Sequence, residues 1–359
     1  MNHDHIDGLS LDQNLAETEF LSRELGVKVS TLSFTLLVDA VQTRAKAGRK
    51  TVIVVSNWRA ITAALEILPA DSVVIILLSD EKYQCDVSIF APDSISHIFR
   101  NYSVELLNVK QSLNLLRKAS MDLAKFRHLV KASDFVGFLH AVITGLLIRA
   151  RVQKWRLAPK PVSEFPLGYT NKFAHNYLQH LNLTKFEGSL FEAPKPAQAQ
   201  PDWDLFFRGS RASWQRQFAL RAIEASCSNS QFDSSSLFWM GHEDNSQIDN
   251  DNYVAEMCRG RIVPCPPGGR ANESFREMEA VICGSVPLLF DASLTQMTRR
   301  PDEDLDGLGS SFPSIADAVN WLQNQKKVNL PRLAVERHSL VKNRLEASRR
   351  HLALLAGSA

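Results

Sequence analysis

Two stretches of the chain have the near-continuous apolar pattern of strands that are buried on both faces. Residues 51–57 read TVIVVSN and residues 72–81 read SVVIILLSDE, and both are rich in β-branched side chains. Residues 58–68, which lie between them, have helical composition. This order predicts a strand–helix–strand unit with parallel strands, followed by a long helical region at 104–155.

A second alternation of strand and helix patterns follows a segment rich in Pro, Ala and Gln at 192–202. Strands are predicted at 204–210, 236–241, 261–267 and 286–290, with helices at 214–226, 252–260 and 314–325 between or after them. We therefore predict an α/β protein with two Rossmann-like parallel-sheet domains. The expected division is an N-terminal domain at 1–192 with its first 45 or so residues peripheral, a linker at 193–202, a C-terminal domain at 203–332 and a C-terminal helix at 333–359.

The composition is typical of a soluble globular protein. The 359 residues are 45% hydrophobic and 22% charged, and a formal net charge of +2 does not favour a nucleic-acid partner. Five cysteines without C-x-x-C spacing favour a reducing compartment and argue against a structural zinc site. The polar amino terminus does not have the pattern of a signal peptide, and the apolar stretch at 135–148 is too short to span a bilayer. We therefore expect a cytoplasmic protein.

The stretch at 265–290, CPPGGRANESFREMEAVICGSVPLLF, carries the candidate chemistry. Ser274 is predicted to cap a helix that ends at Gly284 and leads into a buried strand. The backbone at Gly268 and Gly269 can approach a ligand closely, and the unpaired N–H groups at the helix start favour an anion. The stretch therefore predicts an anion site.

Two charged residues lie about one turn apart on this helix. Arg276 is suited to bind a phosphate in bidentate fashion, and Glu279 is suited to accept hydrogen bonds from a ribose diol. An ordinary surface helix with an Arg–Glu pair explains the same pattern, because such pairs are common and weak. The G-x-G-x-x-G and G-x-x-x-x-G-K-[ST] fingerprints are absent from the sequence, so neither of these nucleotide sites is predicted.

The same stretch resembles the C-terminal signature of exostosin-like glycosyltransferases of the family 47 type, in their bacterial branch. In that signature a Pro/Gly-rich turn precedes Ser-x-Arg-x-x-Glu-Ala, a small residue and a Val-Pro strand. The matching positions here are Ser274, Arg276, Glu279, Ala280, Gly284, Val286 and Pro287. Looser resemblance is found at 79–81, 99–103, 166–173 and 206–220, so that the similar region covers roughly 72–291. The resemblance implies a GT-B fold, in which two Rossmann-like domains face a central cleft and the second holds most of the donor.

The resemblance also implies which residues bind the donor. Arg208 and Gly209, at the turn after the first strand of the second domain, would face the donor diphosphate, although a structural turn with a solvated arginine is the alternative. Pro267 replaces the arginine that the family carries beside the first glycine, and Arg270 can stand in for it. Arg216, deeper in the following helix, is expected at the surface.

An inverting sugar transfer needs a general base in the acceptor domain. Asp80 and Glu81 end a predicted strand, at the edge where open α/β sheets bind ligands. Either carboxylate can serve as the base, and a helix cap or a salt bridge to Arg100 is the alternative role. Arg100, Asn101 and Tyr102 either line the cleft or pack at a strand end.

No metal is expected at the reacting centre. The acidic pairs at 249–251 and 302–306 lie in polar stretches, and the histidines have no ligand spacing. In the enzymes that the chain resembles, a helix dipole and arginines neutralise the leaving diphosphate. Residues 146–157 mix apolar and basic side chains, which indicates either contact with an anionic membrane or a core helix with a basic outer face.

The sequence therefore predicts an inverting glycosyltransferase that moves a sugar from a nucleotide-diphosphate donor, UDP-linked, to a glycan or lipid-linked glycan in polysaccharide or glycoconjugate synthesis. The nucleotide sugar is a substrate, no further cofactor is expected, and any membrane contact is expected to be peripheral, at the inner face. Two rival functions stay open. One is a GT-B nucleotide-sugar epimerase or phosphorylase, and the other is a non-catalytic nucleotide-sugar-binding subunit of a polysaccharide-synthesis complex.

Overall fold

The computed structural model describes residues 5–78, 83–101, 105–194, 203–210, 213–228, 237–242, 252–266, 275–290, 292–293, 298–299, 311–312, 314–324 and 329–357. These residues form an α/β structure that contains two parallel sheets, one in each half of the chain. The prediction of an α/β protein with two parallel sheets is confirmed.

The first half alternates strands and helices along most of its length. Its elements are β1 Ile6–Ser10, α1 Thr18–Glu24, β2 Val27–Thr31, α2 Phe34–Lys46, β3 Thr51–Val55, α3 Thr62–Leu65, β4 Val73–Leu77, β5 Ile95–Arg100, β6 Glu105–Leu106, α4 Val109–Lys125, α5 Ala132–Trp155, β7 Val162–Glu164 and α6 Asn171–His180. Six of the strands form a parallel sheet in the order β2-β1-β3-β4-β5-β7. Strands β3 and β4 are buried along their whole length, as their apolar patterns predict.

Three expectations for the first half are corrected. The first 45 residues are not peripheral, because β1 lies inside the sheet between β2 and β3. The helix predicted at 58–68 is reduced to a 3₁₀ turn at Trp58–Ala60 and the four-residue α3. The helical region predicted at 104–155 is divided into β6, α4 and α5, and α4 begins at a capping box in which Asn108 and Gln111 bond each other's backbone N–H groups.

Helix α5 is longer than the apolar stretch at its centre. It has 24 residues, so by length and composition it is the one helix of the described residues that could cross a membrane. The expectation that the apolar stretch is too short to span therefore does not hold for the whole helix.

The second half repeats the alternation. Its elements are β8 Trp203–Ser210, α7 Trp214–Ser228, β9 Leu237–His242, α8 Tyr253–Met257, β10 Gly260–Cys265, α9 Phe275–Ile282, β11 Val286–Phe290, β12 Ala292–Ser293, β13 Thr298–Arg299, β14 Ser311–Phe312, α10 Ile315–Asn324 and α11 Leu330–Ala356. Five strands form a parallel sheet in the order β14-β11-β10-β8-β9. Gly284 ends α9 in the left-handed region, at φ 82°, as the sequence predicts for a glycine after a helix.

The two halves are packed together. One apolar cluster contains side chains from both sheets and from α11, such as Ile76, Val263 and Leu345. The hydroxyl of Tyr177 on α6 donates a hydrogen bond to the carbonyl of Ile282 on α9, at 3.2 Å. Strand β6 of the first half also pairs with β13 of the second. The two halves are therefore held in a fixed relation by a shared apolar core and by hydrogen bonds.

Candidate functional site

A cavity of about 310 Å³ lies where β8, α8 and α9 of the second half meet α6 of the first. It is lined by Thr170, Lys172, Phe173, Asn176, Arg208, Arg216, Tyr253, Val254, Phe275, Arg276 and Glu279. Three of the residues that the sequence proposes for donor binding, Arg208, Arg276 and Glu279, are therefore brought into one cavity. We call it the junction cavity.

The parallel sheet explains why these residues meet. Strand β8 ends at Ser210, just after Arg208 and Gly209, and α9 follows β10, which is the neighbour of β8 in the sheet. In a parallel sheet all strands end at the same edge, so residues at a strand end lie close to the start of the helix that follows the next strand. Arg208 and Arg276 are 68 residues apart in the chain, and the order of the strands brings them into contact.

Arg276 is held against the backbone of β8. Its Nη2 donates a hydrogen bond of 2.9 Å to the carbonyl of Arg208, and its guanidinium carbon lies 4.5 Å from the ring centre of Phe207. A Cβ atom at Gly209 would collide with Arg276 Nη2. Glycine at this position therefore permits the close approach of the guanidinium to the strand end.

Arg208 forms an ion pair that the sequence does not reveal. Its Nη1 lies 2.7 Å from Glu256 Oε2, and the two side chains are 8% and 19% exposed. Its Nε is buried and has no hydrogen-bond partner among the described residues. The alternative of a solvated arginine at this turn is excluded, because the side chain is buried and paired.

Glu279 is also buried and paired. Its Oε2 accepts a hydrogen bond of 2.8 Å from the hydroxyl of Tyr253. Burial raises the pKa of Glu279, while the bond from Tyr253 and the charge of Arg276 act in the opposite direction. Burial and the nearby Glu279 raise the pKa of Tyr253 well above its usual value, so its hydroxyl keeps its proton. The carboxylate therefore has a fixed orientation in the cavity wall.

Two basic residues add to the positive charge of the cavity. Arg216 lines it and is buried, so the expectation that Arg216 lies at the surface is wrong. Lys172 comes from the first half, on the helix α6 that Thr170 caps. With Arg208 and Arg276 the walls carry four cations, against Glu279 and the Glu256 that pairs with Arg208. The balance of charge favours an anionic ligand.

Asp80 and Glu81, the candidate bases, lie outside the described residues, as do Tyr102, Gly268, Gly269, Arg270 and Ser274. Phe275, which follows directly after this glycine-rich stretch, lines the junction cavity and contacts Leu167 of the first half.

A larger cavity of about 1110 Å³ lies between β5, β7 and the carboxyl end of α5 in the first half and α11 of the second. Arg100, expected to line a cleft, lines this cavity at 1% exposure, and its guanidinium carbon lies 3.4 Å from the ring centre of Tyr83 and 4.9 Å from that of Trp155. The other ionisable side chains in the walls are Arg156, Lys160, Glu164, Arg344 and His351. The ionisable side chains of the lining are thus mainly basic. Asn101 is buried beside this cavity but does not line it.

The residues that the structure describes contain no cluster of three or more His, Cys, Asp or Glu side chains placed to hold a metal ion. Fold and site together define an α/β protein with two parallel sheets and a basic cavity at their junction. Comparison with known proteins does not narrow this class, because no family model and no curated protein matches the chain.

Proposed function

We propose that the protein is an inverting glycosyltransferase of GT-B architecture, which transfers a sugar from a UDP-linked donor to a glycan acceptor. The observation that carries the proposal is the convergence of Arg208, Arg276 and Glu279 on the junction cavity. The resemblance to exostosin-like glycosyltransferases points to these residues, and they belong to elements far apart in the sequence. Their meeting at the carboxyl edge of a parallel sheet, where nucleotides commonly bind, supports a nucleotide ligand.

The donor would bind through charge and shape. Its diphosphate would contact Arg208 and Arg276, with Arg216 and Lys172 adding positive charge to the walls. The ribose hydroxyls would bind Oε1 of Glu279, whose other oxygen accepts the bond from Tyr253. Tyr253 would thereby orient the carboxylate for the ribose.

Transfer would be a direct displacement at the anomeric carbon of the donor sugar. The acceptor oxygen forms the new bond to this carbon, the bond to the donor phosphate oxygen breaks, and the nucleoside diphosphate leaves with the electron pair. Arg208 and Arg276 would stabilise the negative charge that grows on the diphosphate. The proton of the acceptor hydroxyl would pass to a carboxylate of the first half, for which Asp80 and Glu81 remain the proposed bases.

The 1110 Å³ cavity between the first sheet and α11 would hold the part of the acceptor away from the reacting hydroxyl, while that hydroxyl would reach the donor in the junction cavity. This volume is larger than that of most small-molecule sites and suits an oligosaccharide. Arg100, Arg156, Lys160 and Arg344 in the walls favour an acceptor that carries an anionic group, such as a phosphate or a uronic acid.

A turnover assay tests the proposal. The protein is incubated with UDP-glucose, UDP-galactose, UDP-N-acetylglucosamine, UDP-glucuronate or UDP-xylose, with and without oligosaccharide acceptors, and the UDP released is measured. We expect release from one donor to depend on acceptor. Conversion of one UDP-sugar into another without acceptor would indicate an epimerase, and binding without any turnover would indicate a non-catalytic subunit. Failure of every nucleoside diphosphate to bind would overturn the proposal.

A further inference from the structure

Helix α5 exposes a continuous apolar surface. Six large apolar side chains on its outer side are 51–72% exposed: Phe135, Val136, Leu139, Ile143, Leu146 and Leu147. Helix α4 adds exposed Val109 and Leu113 beside the carboxyl half of α5, where Arg149 donates a hydrogen bond of 3.0 Å to Ser112 Oγ. Contiguous apolar surface of this extent is uncommon on soluble proteins and indicates contact with a partner or a membrane. We call the outer side of α5 the docking face.

The opposite side of α5 is anchored to the protein. Asp134 at its amino end lies 2.6 Å from Arg221 of the second half, and Ile148, Val152 and Trp155 at its carboxyl end belong to the core of the first sheet. Leaving this packing would expose the core side chains and break a buried ion pair. The helix therefore stays on the protein, and only its outer side is available to an apolar environment, as in a helix that lies in the plane of a membrane surface.

The charges around the docking face are basic. Residues 109–156 contain ten Lys or Arg and two acidic residues. Both acidic side chains are buried and have partners. Asp122 accepts hydrogen bonds from the backbone at the start of α10, and Asp134 pairs with Arg221. The net charge of the whole chain is only +2, so this region concentrates positive charge. Exposed Arg117 follows Leu113 by one turn of α4, and exposed Lys154 follows Leu147 by two turns of α5. Each basic side chain therefore lies on the same side of its helix as the apolar one.

We propose that the docking face binds the surface of an anionic membrane. Apolar side chains would enter the boundary between headgroups and acyl chains, and the basic side chains would contact the headgroups. Self-association through the same face is the less favoured occupant, because an isologous dimer would bring like positive charges together. The inference rests on the exposed surface alone and does not depend on the proposed transfer reaction.

The docking face also has a fixed relation to the larger cavity. Val152 and Trp155, on the inner side of α5, line that cavity together with Arg156 just after the helix. Membrane binding through the outer side would hold the cavity near the lipid surface. If the proposed function is correct, an acceptor attached to a lipid could reach it without leaving the membrane.

Vesicle sedimentation tests the proposal with the full chain. Wild type is mixed with vesicles of phosphatidylcholine alone, or of phosphatidylcholine with phosphatidylglycerol, and the sedimented fraction is measured at two salt concentrations. We expect binding to the anionic vesicles that weakens at high salt. The Leu139→Ser/Leu146→Ser and Arg117→Glu/Lys154→Glu variants should each bind at least about tenfold more weakly. The matched controls Leu36→Ser/Ile67→Ser and Lys46→Glu/Arg49→Glu, which change exposed side chains elsewhere, should bind as wild type.

Three results would overturn the proposal. The first is binding by both docking-face variants at the wild-type level. The second is equal binding to neutral and anionic vesicles. The third is no binding of wild type to anionic vesicles, and a wild-type dimer, seen by analytical ultracentrifugation, that Leu139→Ser/Leu146→Ser dissociates would then identify self-association as the use of this face. Circular dichroism melts establish that each variant is folded, and UDP binding, measured separately, shows whether the proposed function stands or fails on its own.

Discussion

Arg276 Nη2 lies 2.9 Å from the carbonyl oxygen of Arg208, and this contact joins the start of α9 to the end of β8. It is possible because residue 209 is glycine: a side chain there would collide with the guanidinium. The two arginines are thereby held on the same wall of the junction cavity.

Gly209→Ala should weaken UDP binding by displacing Arg276. The colliding atom is the end of a flexible side chain, so the fold should survive while affinity falls by roughly 1 kcal/mol or more. A double-mutant cycle with Arg276→Ala, measured by calorimetric titration of UDP, isolates the cause. Adding Gly209→Ala to the Arg276→Ala variant should cost almost nothing, and full additivity would show that the glycine acts by another route.

Glu256→Gln should lower the free energy of unfolding. It leaves the buried guanidinium of Arg208 without its carboxylate, at a cost of about 1–3 kcal/mol. Glu336→Gln is the control, because its pair with Arg332 is exposed to solvent and should contribute much less to stability. Urea unfolding of both variants makes the comparison. Equal losses would mean that the Arg208–Glu256 pair contributes no more than a surface pair.

His97→Asn should reduce the loss of stability in mild acid. Burial, then the charges of His351 and Lys50, lower the pKa of His97 from 6.5 to about 4. Between these pH values the unfolded chain therefore binds a proton that the folded chain does not bind, which favours unfolding. The effect of His97 on the free energy of unfolding is therefore absent above pH 6.5, and stability is lost as the pH falls towards 4. Urea unfolding at pH 7 and pH 5 measures the effect, with exposed His128→Asn as control. If the free energy of unfolding falls as much between pH 7 and pH 5 in His97→Asn as in wild type, the prediction is contradicted.

Asp80→Asn or Glu81→Gln should abolish transfer without loss of donor affinity. A general base contributes about 10²–10⁴-fold to the rate and little to donor binding. Both variants are assayed with a matched donor and acceptor while UDP is titrated in parallel. Near wild-type turnover in both would place the base elsewhere, and loss of UDP binding in both would make the pair structural.

The sequence was sufficient for the elements whose local pattern is strong. Strands β3 and β4 are buried on both faces and read as apolar runs, and Gly284 marks the end of α9. Strands β1 and β7 were missed, because their apolar and polar residues are mixed and form strands only through pairing with neighbouring strands.

The same distinction applies to the junction cavity. Arg276 and Glu279 are identified by their spacing within one helix and by the resemblance. Tyr253 and Glu256 were missed, because their partners lie 26 and 48 residues away and only the fold brings them together. Arg216 was expected at the surface because it lies deeper in its helix than the turn that was expected to face the donor. The cavity wall that buries Arg216 is built partly by other elements, α6 of the first half among them.

Calorimetric titration of UDP and uridine into wild type and Arg276→Ala tests the central claim, that the junction cavity binds a nucleoside diphosphate. Arg261→Ala is the control, because Arg261 is an exposed arginine on β10 of the second sheet and does not line the junction cavity. Arg276→Ala should lose about 1.5–3 kcal/mol of UDP affinity and bind uridine nearly as wild type, because only UDP carries the diphosphate. Glu279→Ala should weaken both ligands alike, since both carry the ribose. Wild-type affinity of Arg276→Ala for UDP, or an equal loss of UDP and uridine binding, would contradict the account.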